Sequence, residues 1–294
     1  MSRTERSIMN YSRPAAELIA IRSSHRTYSS RQPEENLRTE INRMLGILPA
    51  PPFACSARFE LVDMAGADDQ TPRRLGTYGV IRGARWFIVG AVRKAPRDME
   101  DFGYLMEAAI LGMTDLGLGT CWLGGTFKRT DYGRRINVRS DETVPAITPV
   151  GYPAENRAIT DRLIRWSAGS NKRKAPEELF FENDFSHPVN DLNALPWADA
   201  FQAVRMAPSA SNLQPWRLLI ERKSGTVHFF LTRSRGYDRL IRAADLQRID
   251  MGIAMCHFEL CVRQYGKEGR WVDRFPPDVA FTDKTEYIAS WVME

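Results

Sequence analysis

Apolar residues recur at three- and four-residue spacing in four stretches, Glu35–Leu48, Met99–Leu116, Leu195–Met206 and Leu246–Tyr265. That period predicts helices that bury an apolar face. Between them lie short runs rich in Val, Ile, Leu and aromatic residues: Arg58–Val62, Trp86–Val92, Ala146–Tyr152, Trp216–Ile220, Val227–Thr232 and Tyr287–Val292. Runs of this length and composition read as strands, so the expected class is α+β. A polar stretch from Arg157 to Asn193 carries charges of both signs and is interrupted by Leu179-Phe180-Phe181. It reads as an ordered connector between two parts of the chain.

The two parts resemble each other. Asp101–Trp122 aligns with Asp250–Trp271 without a gap, and six positions coincide: Asp101/Asp250, Gly103/Gly252, Met106/Met255, Leu111/Leu260, Gly117/Gly266 and Trp122/Trp271. Ordinary composition gives roughly one or two such matches by chance. Upstream, Leu48-Pro49 falls opposite Ala207-Pro208, and Phe59-Glu60-Leu61 opposite Leu218-Leu219-Ile220 at the same distance. Two amphipathic helices followed by Gly and Trp can coincide by accident, but agreement in length, helix stop and neighbouring strand favours duplication. The expected division is a first repeat with connector over 1–185 and a second over 186–294, packed about a pseudo-twofold axis as a homodimer packs.

Composition narrows the class further. A chain of 294 residues with 43% apolar and 26% charged side chains can bury a sizeable core and reads as globular. The stretch Met1–Pro14, with Arg3, Arg6 and Arg13, lacks the apolar core of a signal peptide, and no apolar run is long enough to span a bilayer. The expectation is therefore a cytoplasmic protein without a membrane partner. Cys55, Cys121, Cys256 and Cys261 form no CxxC pair, and His25, His187, His228 and His257 show no metal spacing, so neither a metal site nor a redox dithiol is expected. The net charge of +5 is dispersed among acidic residues, which argues against nucleic acid. A few arginines near turns suit a compact anionic small molecule instead.

Three segments carry candidate chemistry. In Arg22-Ser23-Ser24-His25-Arg26-Thr27-Tyr28, two guanidinium forks and two hydroxyls lie within five residues and suit phosphate and carbonyl oxygens, although a polar turn before a helix starting near Pro33 would look similar. Ala207–Trp216 ends a helix, turns at two prolines and feeds a strand. Its small Ser and Ala side chains let a ring approach the backbone, and Asn212 and Gln214 offer donors and acceptors to a heteroaromatic edge. Gly117-Leu118-Gly119-Thr120-Cys121-Trp122-Leu123-Gly124-Gly125 stops a helix and then frees backbone amides. Its GxG follows a helix, whereas the dinucleotide fingerprint must follow a strand, so an amide-donor loop is the better reading.

With Gly151-Tyr152-Pro153-Ala154-Glu155, these segments resemble the FMN-dependent nitroreductase family, whose members often carry R-x-S-x-R, A-P-S-A-x-N-x-Q-P-W, G-L-G-T-x-W-x-G-G and G-Y-P-A-E. In the common family the A-P-S-A loop follows R-x-S-x-R within one repeat. Here it lies in the second half, which matches the duplicated-chain branch called "putative TM nitroreductase". The corresponding first-half loop, Pro49–Ala54, lacks amides and hydroxyls, and the second half has Lys267-Glu268-Gly269-Arg270-Trp271 in place of the glycine turn. The resemblance implies a nitroreductase-like fold with mostly antiparallel sheets and one of two flavin sites retained between the halves.

The resemblance also implies roles. Arg22 and Ser24 would hold the FMN phosphate, helped by Arg173, with Arg157, Arg162 and Arg165 as competitors, and Ser23 would also be cofactor-binding. Arg26 would face the pyrimidine edge, while Pro208, Ser209, Ala210, Asn212 and Gln214 would line the ribityl chain and ring. The amides of Leu123 and Gly124 would sit near the hydride-accepting nitrogen, flanked by Trp122 and Gly125, with Trp122 and Phe127 bordering a substrate slot. The implied activity is NAD(P)H-dependent reduction of a nitroaromatic, quinone or similar acceptor, in which the flavin carries the chemistry and no side chain need be catalytic. Another flavin reaction, such as reductive dehalogenation or flavin fragmentation, and a flavin-binding or flavin-free sensor without turnover, are the alternatives. The site would be complete within one chain, whether monomeric or further dimerised.

Overall fold

The computed structural model describes residues 9–31, 33–64, 80–125, 127–154, 172–234, 244–276, 279 and 284–294. Helices α1 (Ala15–Ile21) and α2 (Glu35–Gly46) precede strands β1 (Ala57–Asp63) and β2 (Trp86–Arg93). Helix α3 (Asp98–Asp115) leads to β3 (Gly119–Thr120), α4 (Arg129–Arg135), β4 (Glu142–Thr143) and β5 (Ile147–Gly151). After the connector come α5 (Pro176–Leu179), β6 (Phe180–Glu182), α6 (Ala198–Met206), β7 (Trp216–Ile220) and β8 (Val227–Thr232). Helix α7 (Leu246–Gln264), β9 (Gly269–Val272) and β10 (Thr285–Met293) complete the chain. The four helices and six strands expected from periodicity are all present. Helices α1 and α4, at seven residues each, are too short for a period to register. Helix α6 starts at Ala198 rather than Leu195 because Trp197 takes a left-handed backbone conformation at φ 59°.

The elements form two sheets, ordered β1-β2-β5-β3 with β4 also on β2, and β6-β7-β8-β10-β9. Matching β1 with β7, β2 with β8, β5 with β10 and β3 with β9 superposes one strand order on the other. Among these strands every pairing is antiparallel except β6 with β7, where Phe180 lies opposite Leu218. Strand β6 falls within 1–185, so the connector carries a strand across to the second half's sheet.

The six coincident positions each have a physical job. Helices α3 and α7 pack directly on each other, and a Cβ on Gly103 would stand 2.2 Å from the Ile249 carbonyl oxygen. Reciprocally, a Cβ on Gly252 would stand 1.9 Å from the Glu100 oxygen, so only glycine allows the helices to cross this closely. Gly117 and Gly266, at φ +74° and +67°, end the two helices in the left-handed conformation. Met106, Met255, Leu111 and Leu260 fill the shared core. Asp101 accepts from the amides of Phe53 and Cys55, and Asp250 from that of Ala210, so each aspartate holds the loop that follows the preceding helix. The first half's partners differ because Pro51, opposite Ala210, has no N–H to donate. Trp122 donates its indole N–H to Glu107 at 2.7 Å and Trp271 to Glu259 at 2.6 Å. Among the described residues no helix is long and apolar enough to cross a membrane.

Candidate functional site

A cavity of about 990 Å³ opens at the seam between the halves. One wall begins where α1 ends. From Arg22 the chain runs extended beside β3: Ser24 pairs with Thr120, and the His25 amide donates to the Thr120 carbonyl at 2.8 Å. Gly119 permits this approach, since a Cβ there would lie 3.0 Å from the His25 side chain. The polar segment therefore runs beside the first sheet through a single parallel bridge, and Arg22, Ser23, Ser24 and Arg26 line the cavity.

The opposite wall is the loop after α6. Pro208, Ser209, Ala210, Ser211 and Asn212 line it, and Ser211, Asn212 and Gln214 take positive φ of 51°, 54° and 48°. Three non-glycine residues in that region mark a backbone held against its local preference. What holds it is a mesh of hydrogen bonds. The Gln214 amide donates to Ser209 Oγ at 2.9 Å, and Gln214 Oε1 accepts from the Lys174 amide at 2.9 Å. Asn212 Nδ2 donates to the Lys172 carbonyl at 2.7 Å, and Asn212 Oδ1 accepts from Arg173 Nη1 at 2.6 Å.

Cations gather where these walls meet the connector. Arg173 also donates to the Met206 carbonyl at 3.0 Å, and Arg205 Nε donates to the Lys174 carbonyl at 2.8 Å. Burial, then the charges of Arg22 and Arg205, lower Arg173 to about 10, which places three guanidinium groups within electrostatic reach of one another. The Arg22 side chain is 7% exposed, and its Nε is buried without a hydrogen-bond partner, 3.6 Å from Glu107 Oε1. That separation is an ion pair without a hydrogen bond.

Eleven of the fourteen expected residues line the cavity: Arg22, Ser23, Ser24, Arg26, Trp122, Gly124, Arg173, Pro208, Ser209, Ala210 and Asn212. Three do not. Leu123 is buried, and its amide and carbonyl are both paired with Ile147 at 3.0 Å, so its N–H is not available to a ring nitrogen. Gln214, 3% exposed, braces the loop to the connector from behind. Gly125 is exposed beyond Gly124 and lies outside the lining. Phe127, expected at a substrate slot, packs instead in a separate core cluster with its ring 5.8 Å from Tyr132. Glu155, Arg157, Arg162 and Arg165 lie outside the described residues.

The sequence reading missed Lys172 and Arg205, and also the floor of the cavity, made by Leu246, Ile249, Asp250 and Ile253 on one face of α7. Their spacing of three, four and seven is the helical signal that marks a shared face. At the corresponding positions at and just before the start of α3 stand Arg97, Glu100, Asp101 and Tyr104; Asp101 holds its loop as Asp250 does, and the other three enter polar networks. Glu100, fully buried, accepts from Arg248 Nη1 at 2.6 Å and Arg97 Nη1 at 3.3 Å, and Arg248 continues to Glu286 at 2.6 Å. Tyr104 donates to Glu259 at 2.9 Å. The positions that make an apolar floor on α7 thus carry hydrogen-bonded polar side chains in the first half. Among the described residues no cluster of His, Cys, Asp and Glu could hold a metal ion.

Asp250 sits in the floor with its carboxyl pushed well above the usual range by burial, the Ala210 amide acting in the opposite direction. The fold therefore favours its neutral form, so its contribution to stability is complete below the ordinary value near 3.8 and is lost as pH rises toward the folded-state value. Asp250→Asn, which can still accept from Ala210 and cannot ionise, is expected to gain on the wild type between about pH 4 and pH 8. Thermal melts across that range check it, and a gap that does not change with pH contradicts the assignment.

Two related sheets flanking a crossed helix pair, with a basic cavity at the seam, define a nitroreductase-like α+β fold. The family model described as "Putative TM nitroreductase" matches residues 15–262, and the chain belongs to that family and is an oxidoreductase. A Thermotoga maritima structure described as a "putative nitroreductase" is 19% identical, covering 100% of this chain and 99% of that one, with a TM-score of 0.59. A Bacteroides fragilis nitroreductase with bound FMN is 20% identical over 50% of this chain and 92% of its own, with a TM-score of 0.39. A Clostridium difficile structure described as an FMN-dependent nitroreductase is 21% identical over 49% of this chain and 92% of its own, with a TM-score of 0.38. No curated protein matches the chain.

Proposed function

We propose that the protein is an FMN-dependent oxidoreductase that takes electrons from NAD(P)H and passes them to a nitroaromatic, quinone or similar small-molecule acceptor. The observation that carries this reading is the cation cluster of Arg22, Arg173, Arg205 and Lys172 lining one cavity, with the buried Arg22 Nε lacking a hydrogen-bond acceptor. A phosphate monoester offers several charged acceptors in a small volume and fits that donor set. Family membership supports the same reading.

When bound, FMN supplies hydride and electron transfer, and the chain supplies binding, orientation and access. Arg22 and Arg173 hold the phosphate with the Ser23 and Ser24 hydroxyls. Arg26, further along the same wall, faces the pyrimidine edge. The braced loop Pro208–Asn212 lies along the ribityl chain and ring, and Gly124, without a side chain, leaves room between Trp122 and Leu246. The volume exceeds what one planar cofactor fills, which leaves space for a stacked donor or acceptor. Leu246, Ile249 and Ile253 make the floor apolar, which keeps water from the ring.

Fluorescence titration is expected to saturate near one FMN per chain, because the residues opposite the α7 floor, Arg97, Glu100 and Tyr104, are polar and hydrogen-bonded. Anaerobic mixing with NADH and with NADPH is then expected to bleach the flavin. A protein that takes up no FMN overturns the reading, two FMN per chain overturns the one-site count, and bound flavin that neither nucleotide bleaches favours a binding protein without turnover.

A further inference from the structure

Glu107 is fully buried in the middle of α3, where an unpartnered carboxylate would be costly. Three groups converge on it. The Trp122 indole donates to Oε2 at 2.7 Å, His257 Nε2 lies 2.9 Å from Oε1, and the Arg22 guanidinium lies 3.6 Å from Oε1. Trp122 and Arg22 both line the cavity. His257 comes from α7, and its Nδ1 is 2.9 Å from the Ala203 carbonyl. A carbonyl only accepts, so Nδ1 carries a proton, and a hydrogen bond at Nε2 needs a second proton between His257 and Glu107. Glu107 and His257 are thus a net-neutral pair whatever the proton's side, and Arg22 adds an uncompensated positive charge at its edge. Burial raises the Glu107 carboxyl, but the His257 hydrogen bond and charge, with Arg22 and Trp122, more than reverse this and leave it ionised.

The repeat separates what is structural here from what is not. Trp271, the counterpart of Trp122, also finds a buried glutamate, Glu259, so satisfying the indole is common to both halves. Glu107 itself has no counterpart: the position opposite is Cys256, which cannot orient a guanidinium. A carboxylate at this position of the repeat stands only on the side that keeps Arg22; Glu259, three residues beyond Cys256, is taken up by Trp271, Tyr104 and Arg263, and Arg263 is not among the cavity lining.

We infer that Glu107 is the positioning residue of the cavity, one buried carboxylate that fixes Arg22 at the phosphate end and Trp122 at the glycine turn, balanced by His257 from the opposite half. The inference takes its ligand from the proposed FMN site, but its geometry stands apart from that reading. It assigns Glu107 no contact with flavin. Its effect reaches the phosphate through Arg22, and the rest of the flavin should not sense it.

The test compares FMN with riboflavin, which lacks the phosphate, in wild type, Glu107→Gln, Arg22→Ala and the double variant. Glu107→Gln keeps size and an acceptor for the indole but removes the charge that draws Arg22. FMN affinity is expected to fall about 10- to 100-fold, as for loss of one charge-assisted contact, with riboflavin changed less than about threefold. Adding Arg22→Ala is expected to cost little more, because the two act through one contact. Unchanged FMN affinity, equal losses for both flavins, or multiplying effects overturn the inference. If Glu107→Gln does not fold, Glu107→Asp withdraws the carboxylate by one methylene, and an FMN-selective loss is again expected, its absence being decisive. A crystal structure of the folded variant without flavin gives a separate reading. Arg22 displaced supports the inference, and Arg22 in place overturns it, whereas a wild type that binds no FMN overturns only the proposed function.

Discussion

Arg22→Ala is expected to weaken FMN binding by between about 10- and 150-fold, the equivalent of about 1.5–3 kcal/mol for a hydrogen bond to a charged group. The expectation rests on the arginine's setting. Its side chain is 7% exposed and lines the cavity, with Glu107 3.6 Å from Nε on the buried side. Most of the described arginines are engaged in hydrogen bonds or ion pairs. Arg43, for example, lies 58% exposed and is hydrogen-bonded to Glu40 at 2.6 Å, which makes Arg43→Ala the matched control with affinity expected within about twofold of wild type. Fluorescence titration decides between them, and equal affinities would remove Arg22 from the phosphate site.

Gly252→Ala is expected to lower the melting temperature by about 6 °C or more. Its Cβ would meet the Glu100 carbonyl oxygen at 1.9 Å and the Tyr104 amide nitrogen at 2.8 Å. These are backbone atoms of a packed helix, so relief requires moving α3 rather than turning a side chain. Overpacking a core costs about 1–3 kcal/mol even when side chains can adjust. Here the cost is roughly 3 kcal/mol or more, at about 2 °C per kcal/mol for a chain of this length. The better helix propensity of alanine, about 1 kcal/mol, works the other way and is overcome. Gly103→Ala, facing the Ile249 carbonyl at 2.2 Å, is expected to behave alike. Gly266→Ala separates steric from conformational effects, since nothing lies within 4 Å of its Cβ and only the positive φ is strained, at about 1 kcal/mol. A Gly252→Ala protein that melts with the wild type would mean the helices do not cross where described.

Much of the fold was legible because its signals are local and repeated. The apolar period gave α3 as Met99–Leu116 against the observed Asp98–Asp115, and the repeat predicted a second helix of matching length, found as Leu246–Gln264. Strands of two or three residues, such as β3, β4 and β6, carry too few side chains to alternate visibly. The lining of the cavity was partly legible for a different reason. Sequence shows which atoms are able to bond, not which are already bonded. Leu123 and Gln214 carry suitable groups, yet Ile147 and the 172–174 segment occupy them. Conversely, Leu246 and Ile249 carry no chemistry that draws the eye, and only the packing of α7 beneath the seam brings them to the site.

The pairing of α3 with α7 has one more consequence. In a symmetric homodimer a single codon writes both faces of the helix crossing, so any change that fills one site fills its mate. Joined in one chain, the crossing is written twice. The glycines that allow the approach remain in both copies, while the neighbouring positions have gone separate ways, to Arg97, Glu100 and Tyr104 on one side and Leu246, Ile249 and Ile253 on the other. The crossing thus carries hydrogen-bonded charges on one side and an apolar cavity floor on the other, an asymmetry closed to two identical subunits.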